Sequence, residues 1–148
     1  MTKEELLRKL REVLDESPQA LLATVTEEGY PAMRYMSPAM VRGNNDALYA
    51  VTAAHFPKVK DLSARPLVSW LLTNPKTREI FSFKGKIRLV EDPRFKSELL
   101  EEIGSGLESF WRLNDDPSDV VCLETMLVSG EYFNPKTAEK ARVDFVEL

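Results

Sequence analysis

Apolar residues recur along the chain in two rhythms, one helical and one alternating, and these assign the elements. Leu6, Leu7, Leu10, Val13 and Leu14 keep helical spacing behind a Thr2-x-x-Glu5 capping pair, which predicts an amphipathic helix over 3–16 ended by Ser17-Pro18. An apolar strand follows over 20–26, and Glu27-Glu28-Gly29 makes a hairpin turn. The chain returns as a strand over 31–41, turns again over 43–46, and continues as a strand over 48–52. Pro57 suits a first helical position, Val59 and Leu62 give the short helix behind it an apolar side, and Arg65-Pro66 stops it. A buried strand is expected over 67–72. The clearest alternation comes next: Phe81, Phe83, Gly85, Ile87 and Leu89 are separated by Ser82, Lys84, Lys86 and Arg88. Asp92-Pro93 opens a helix carrying Phe95, Leu99 and Ile103, which Gly104 and Gly106 break, and a short helical piece ends near Phe110-Trp111. After the polar loop NDDPSD come a long strand over 120–133 and a short one over 141–145.

Five or six strands joined by hairpin turns, with helices too short for repeated crossovers, imply an antiparallel sheet. Several strands exceed the usual five to six residues, and long twisted strands close into barrels. The expected class is α+β, built around a small antiparallel barrel. At 148 residues, with no repeat, low-complexity tract or linker, the chain reads as one domain over 1–148.

Composition removes several chemistries. One cysteine excludes an internal disulfide, and Cys122 in VVCLE reads as a core residue. With one histidine and one cysteine, a protein-built zinc site lacks ligands, and no G-x-S-x-G elbow supports acyl transfer. No apolar run approaches the roughly 20 residues of a membrane span, and the charged start MTKEELLRKL lacks a secretory apolar region, so the expected location is cytoplasmic. The net charge of −4 argues against nucleic acid, but its distribution is uneven. Residues 34–88 hold ten basic and three acidic side chains, leaving that segment at +7 and the remainder at −11. Taken alone, this is a solvated basic face; geometry decides whether part of it serves an anion.

The candidate geometry lies between Arg34 and Lys58. An arginine within an apolar strand needs a partner. Glu79 or Asp61 would make it structural, whereas a phosphate would use its planar fork. Ser37-Pro38 interrupts the strand, because proline cannot donate to a ladder, and such breaks leave backbone groups free to line a site. Thr52-Ala53-Ala54 leaves the next strand with small side chains, and the helix at Pro57 offers unpaired N–H groups. Lys58 in the first turn opposes the helix dipole unless an anion docks there. Arg34, Thr52 and Lys58 together favour phosphate binding. His55 is either a general acid or a surface residue, the latter being the commoner fate of a loop histidine. Trp70, in VSWLL, belongs to the core, while Trp111, in WRLNDD, can reach an interface or a ligand edge.

The order of these segments resembles the pyridoxamine 5'-phosphate oxidase-like FMN-binding split-barrel family, over nearly the whole chain. The likeness is carried by the opening helix and by ALLATVTEEGYPAMRYMSPAMV, ALYAVTAAHFPKVKDLSARPLVSWLL and FSFKGKIRLVEDPRFKSELLEEI. The tail ESFWRLNDDPSDVVCLETMLVSGEYF is similar to the general-stress-protein branch. The resemblance implies an antiparallel Greek-key split β-barrel with peripheral helices, and a homodimer with FMN in clefts at the subunit interface. It implies that Arg34 and Lys58 bind the flavin phosphate. The strand with Tyr35 would run along the flavin, with the backbone from Met36 through Ser37 to Pro38 against the ring. Val51 and Thr52 would lie near the ribityl chain and phosphate, and Trp111 would approach from the partner. Pro57-Lys58 stands where the oxidase has Arg-Lys, and ARVDFVEL does not match its basic, histidine-containing substrate motif, so the cofactor carries over further than the reaction. The expected function is an FMN-dependent oxidoreductase passing electrons from a nicotinamide or similar donor to a small acceptor. The alternatives are a non-enzymatic flavin-binding stress protein, or a split barrel holding heme or a deazaflavin.

Overall fold

The structure, a computed structural model, describes residues 1–17, 19–53, 57–103 and 120–145, with the side chains of Asn45, Pro57 and Lys58 outside the description. Its elements run α1 (Lys3–Glu16), β1 (Ala20–Val25), β2 (Pro31–Met36), β3 (Ala39–Val41), β4 (Asn44–Ala53), α2 (Pro57–Ala64), β5 (Leu67–Thr73), β6 (Ile80–Leu89), α3 (Pro93–Ile103), β7 (Val120–Asn134) and β8 (Glu139–Asp144). Among the described residues there are eight strands, above the five or six expected. The expected strand over 31–41 is two strands, because Ser37-Pro38 breaks its ladder. The turn expected over 43–46 is tighter than its polar residues suggest: Gly43, at φ 83°, turns the chain and Asn44 already begins β4.

All pairings are antiparallel, in the order β2-β1-β5-β6-β7-β4-β3, with β8 added to β7. That order forces curvature. Laid flat, seven strands would separate β2 from β3 by about 29 Å at roughly 4.8 Å per strand. Three peptide steps join Met36 to Ala39 and span at most about 11 Å. The sheet therefore curls until its ends meet, and since β2 and β3 do not pair among the described residues, the barrel stays split at Ser37-Pro38. A bulge between Lys84 and Gly85 assists the bend. A β-carbon on Gly85 would lie 2.5 Å from the Thr125 methyl and 2.6 Å from the Met126 carbonyl oxygen, so the closely approaching strands require glycine.

The barrel interior is filled by Leu22, Leu48, Trp70, Phe81, Phe83 and Leu127, among others, and α1 adds Leu6, Leu10 and Val13 to it. The capping box at Thr2 and Glu5 is formed as the sequence predicts. Trp70 is core, its indole N–H donating to Thr125 Oγ1 at 3.0 Å. A second cluster under α3 contains Tyr49, Val51, Leu99 and Cys122. Thus β4 is buried on both faces: Leu48 and Ala50 face the barrel, while Ala47, Tyr49 and Val51 face α3. Cys122 is fully buried, and that burial raises its thiol pKa, as suits a packing residue. No helix among the described residues is long and apolar enough to cross a membrane.

Candidate anion-binding site

The register of β1 on β2 sets Arg34 opposite Leu22 and Ala32 opposite Thr24. Leu22 and Thr24 are buried, so Arg34 lies on the inward face of β2 while Met33 and Tyr35 face out. Arg34 is half-buried, and its Nη1 donates to Thr24 Oγ1 at 3.1 Å, diagonally across the strand pair. Burial lowers its pKa and the charge of Asp61, on α2, opposes that change; arginine stays cationic throughout.

Neither expected carboxylate pairs with it. Asp61 Oδ1 is held at 2.7 Å by Arg65 Nη2 one turn later, and Arg65 Nε donates to the Val25 carbonyl at 3.2 Å. That tie fixes α2 against the end of β1. Glu79 accepts from Lys9 at 3.0 Å, from Thr77 at 2.7 Å and from the Tyr132 hydroxyl. Among the described residues, Arg34 makes no ion pair. By contrast, the other buried glutamate, Glu124, accepts from Tyr49 and Arg88, both at 2.7 Å.

The other expected site residues lie on different faces and elements. Thr52 is buried and follows Leu48 and Ala50 in alternation, so it lies on the barrel side of β4. Ala53 is buried, and the backbone of Lys58 lies in the first turn of α2, three residues before Asp61, about 4.5 Å along the axis. Met36 packs against the barrel core, Ser37 is exposed and Pro38 is buried at the split. Tyr35 is 73% exposed on the opposite face from Arg34, and Val51 faces α3, so neither side chain joins Arg34. Trp111 and His55, with the short helical piece expected near 110–111, lie outside the described residues, as does the Lys58 side chain.

The sequence reading missed Thr24, which passes for one residue of an apolar strand. Its only signal was positional, because a threonine two residues beyond the partner of a strand arginine is within diagonal reach.

The outward face carries a different feature. Met33, Tyr35, Leu67 and Met126 are each about half or more exposed. Pairing places Tyr35, Leu21 and Leu71 in one row and Leu67, Lys86 and Met126 in another. A groove of about 440 Å³ runs between Val25, Leu67, Lys84 and Val128. Exposed apolar residues grouped on one sheet face are the kind of feature that interaction surfaces use.

The family model for pyridoxamine 5'-phosphate oxidase matches residues 6–124, spanning β1 through the first part of β7 and all of the corner described above. The chain belongs to the pyridoxamine 5'-phosphate oxidase family. No match is found among curated proteins. Solved structures of similar fold include a Clostridium acetobutylicum protein related to general stress protein 26, of the pyridoxinephosphate oxidase family. It is 19% identical, with 97% of this chain and 96% of that one covered at a TM-score of 0.77. A pyridoxamine 5'-phosphate oxidase-related, FMN binding protein from Nostoc punctiforme is 17% identical, with coverage of 97% and 95% and a TM-score of 0.66. The heme storage protein of Vibrio cholerae is 16% identical, with coverage of 86% and 91% and the same TM-score of 0.66. At these identities the likeness establishes the split barrel that this family shares.

Proposed function

We propose that the protein binds FMN by its phosphate at the corner of β2 and α2 and works as an oxidoreductase. The observation that carries this reading is Arg34, a half-buried cation whose two candidate carboxylates are both engaged elsewhere. A charge in that position is stabilised by an anion with several oxygens, which its fork binds in two parallel hydrogen bonds. The donor set fits a phosphate: Arg34 on β2, the backbone N–H groups at the start of α2, Thr52 at the end of β4, and Lys58 in the first helical turn. The backbone from Met36, the last paired residue of β2, to Ser37 and Pro38, which lie between the strands at the split, would lie against the flavin ring. Bound there, FMN would supply hydride and electron chemistry that the described side chains do not. The protein's part is to hold and orient it while a nicotinamide or similar donor and a small acceptor reach it in turn.

A homodimer belongs to the same reading. β2 carries Arg34 on its inner face and Met33 and Tyr35 on its outer one, so a second copy on the apolar outer face would lie within one strand's thickness of the phosphate corner. The flavin would then sit at the subunit interface, where Trp111 of a second copy can reach it. A cytoplasmic setting suits a donor of the nicotinamide type.

The first experiment is the absorption spectrum of the purified protein, followed by identification of what denaturation releases. The expected result is two broad flavin bands and free FMN, with oxidation of a nicotinamide donor once acceptors such as nitro compounds or quinones are added. Bound flavin without turnover would favour a storage or sensing role. The fold shared with a heme storage protein gives heme a specific claim, and a Soret band after incubation with heme, with no flavin uptake, would replace FMN by heme.

A further inference from the structure

We infer that Thr24 is a positioning residue for the anion grip, its buried hydroxyl keeping the Arg34 guanidinium turned towards the ligand and away from Asp61. This rests on the reading of Arg34 as the phosphate-binding cation. Thr24 is 2% exposed, and its branched β-carbon leaves few rotamers, so its hydroxyl is a fixed post. The bond from Arg34 Nη1 is 3.1 Å long and is dictated by the strand register, since Thr24 stands opposite Ala32, two residues from Arg34. It occupies one of the five guanidinium N–H groups and leaves the remainder of the fork for an anion.

Asp61 is the internal charge that competes with a ligand for Arg34. Its charge acts on Arg34, and Arg65 holds it in place while also bonding the carbonyl of Val25, the residue after Thr24. A guanidinium released from Thr24 would close on that carboxylate, and an arriving phosphate would have to displace it. The threonine thus biases a contest between an internal carboxylate and an external anion. Removing it should weaken ligands that carry the phosphate and spare those that lack it.

The test titrates FMN and riboflavin, by quenching of flavin fluorescence, into the flavin-free wild-type chain and into Thr24→Val, Thr24→Ala and Thr24→Ser. Valine keeps the branched shape, alanine repeats the deletion without the added methyl, and serine keeps the hydroxyl. Loss of one hydrogen bond to a charged group predicts an FMN Kd raised about tenfold in the valine and alanine variants. Riboflavin should bind as before, and serine should restore FMN affinity. Thermal midpoints confirm that the variants are folded. An unchanged FMN Kd, equal weakening of both ligands, or no rescue by serine overturns the positioning role. Arg34→Ala separates the two readings. Where it loses FMN selectively but Thr24→Val does not, only the role of Thr24 fails. Where it shows no selectivity, the phosphate reading fails and the inference falls with it.

Discussion

Glu79 and Arg34 are both charges drawn partly out of water, and the structure treats them differently. Glu79, 8% exposed, receives Lys9, Thr77 and Tyr132, which join α1, the β5–β6 turn and β7 around one carboxylate. Arg34 gives one hydrogen bond to a threonine and feels the charge of a carboxylate that Arg65 already holds. A closed network of this kind holds elements together, and its members have no capacity left for a ligand. A partly used guanidinium has that capacity. The same contrast explains why Glu124, though buried, is assigned no functional role: Tyr49 and Arg88 occupy both its oxygens.

The comparison breaks most visibly at Glu79. Glu79→Ala leaves Lys9 and Tyr132 without their acceptor and should cost about 3 kcal/mol of stability, the scale of an interrupted buried pair. Denaturant unfolding measures this, while the ratio of FMN to riboflavin affinity in the folded variant should stay at the wild-type value. Arg34→Ala should do the reverse. Losing charged hydrogen bonds to phosphate predicts about 2 kcal/mol, roughly thirtyfold in the FMN Kd, with riboflavin affinity and the thermal midpoint nearly unchanged. Equal loss for the two flavins would make Arg34 a second structural charge and erase the contrast.

Leu67→Asp probes the outer face, which neither charge occupies. A carboxylate at this 67% exposed position should cost the isolated chain little but oppose association. Light scattering should show a fall from two chains to one, together with weaker FMN binding if the cleft needs both copies. The smallest effect is the acid limb of the stability curve. Burial raises the Glu79 pKa, but hydrogen bonds from Tyr132, Thr77 and Lys9 outweigh it, and the net value falls below the usual carboxylate range. A depressed folded pKa stabilises the protein above the unfolded value, about 4.3, and that contribution disappears as pH falls through the folded one. Glu79→Gln should therefore flatten stability below about pH 4 relative to wild type. A parallel pair of curves would mean that the network does not depend on the charge.

Much of this architecture could be read from residue order. Helix α1 was legible because a capping pair and five apolar residues agree on its start and face, and β6 because its alternation is unbroken. The split was legible at Pro38, since proline cannot continue a ladder. Polar strand ends were not: Asn44 and Asp46 look like turn residues, yet Asn44 donates to the Tyr49 hydroxyl further along its own strand, and Asp46 pairs at 2.7 Å with Lys3, a partner distant in sequence that gives no local signal. Likewise β8 begins at Glu139 rather than at Ala141, because pairing with β7 recruits charged residues that alternation does not mark. At the site, the residue types were readable, but the outcome at Arg34 was not. Deciding between carboxylate and phosphate required knowing that Lys9 had taken Glu79 and Arg65 had taken Asp61.

The central claim is that this corner recognises a phosphate ester, and the most direct measurement is the difference between two ligands that share one ring system. Isothermal titration of the flavin-free wild-type protein with FMN and with riboflavin should give an affinity at least about a hundredfold higher for FMN, the scale of two charge-assisted contacts. Equal affinities, or no binding of either, would contradict it.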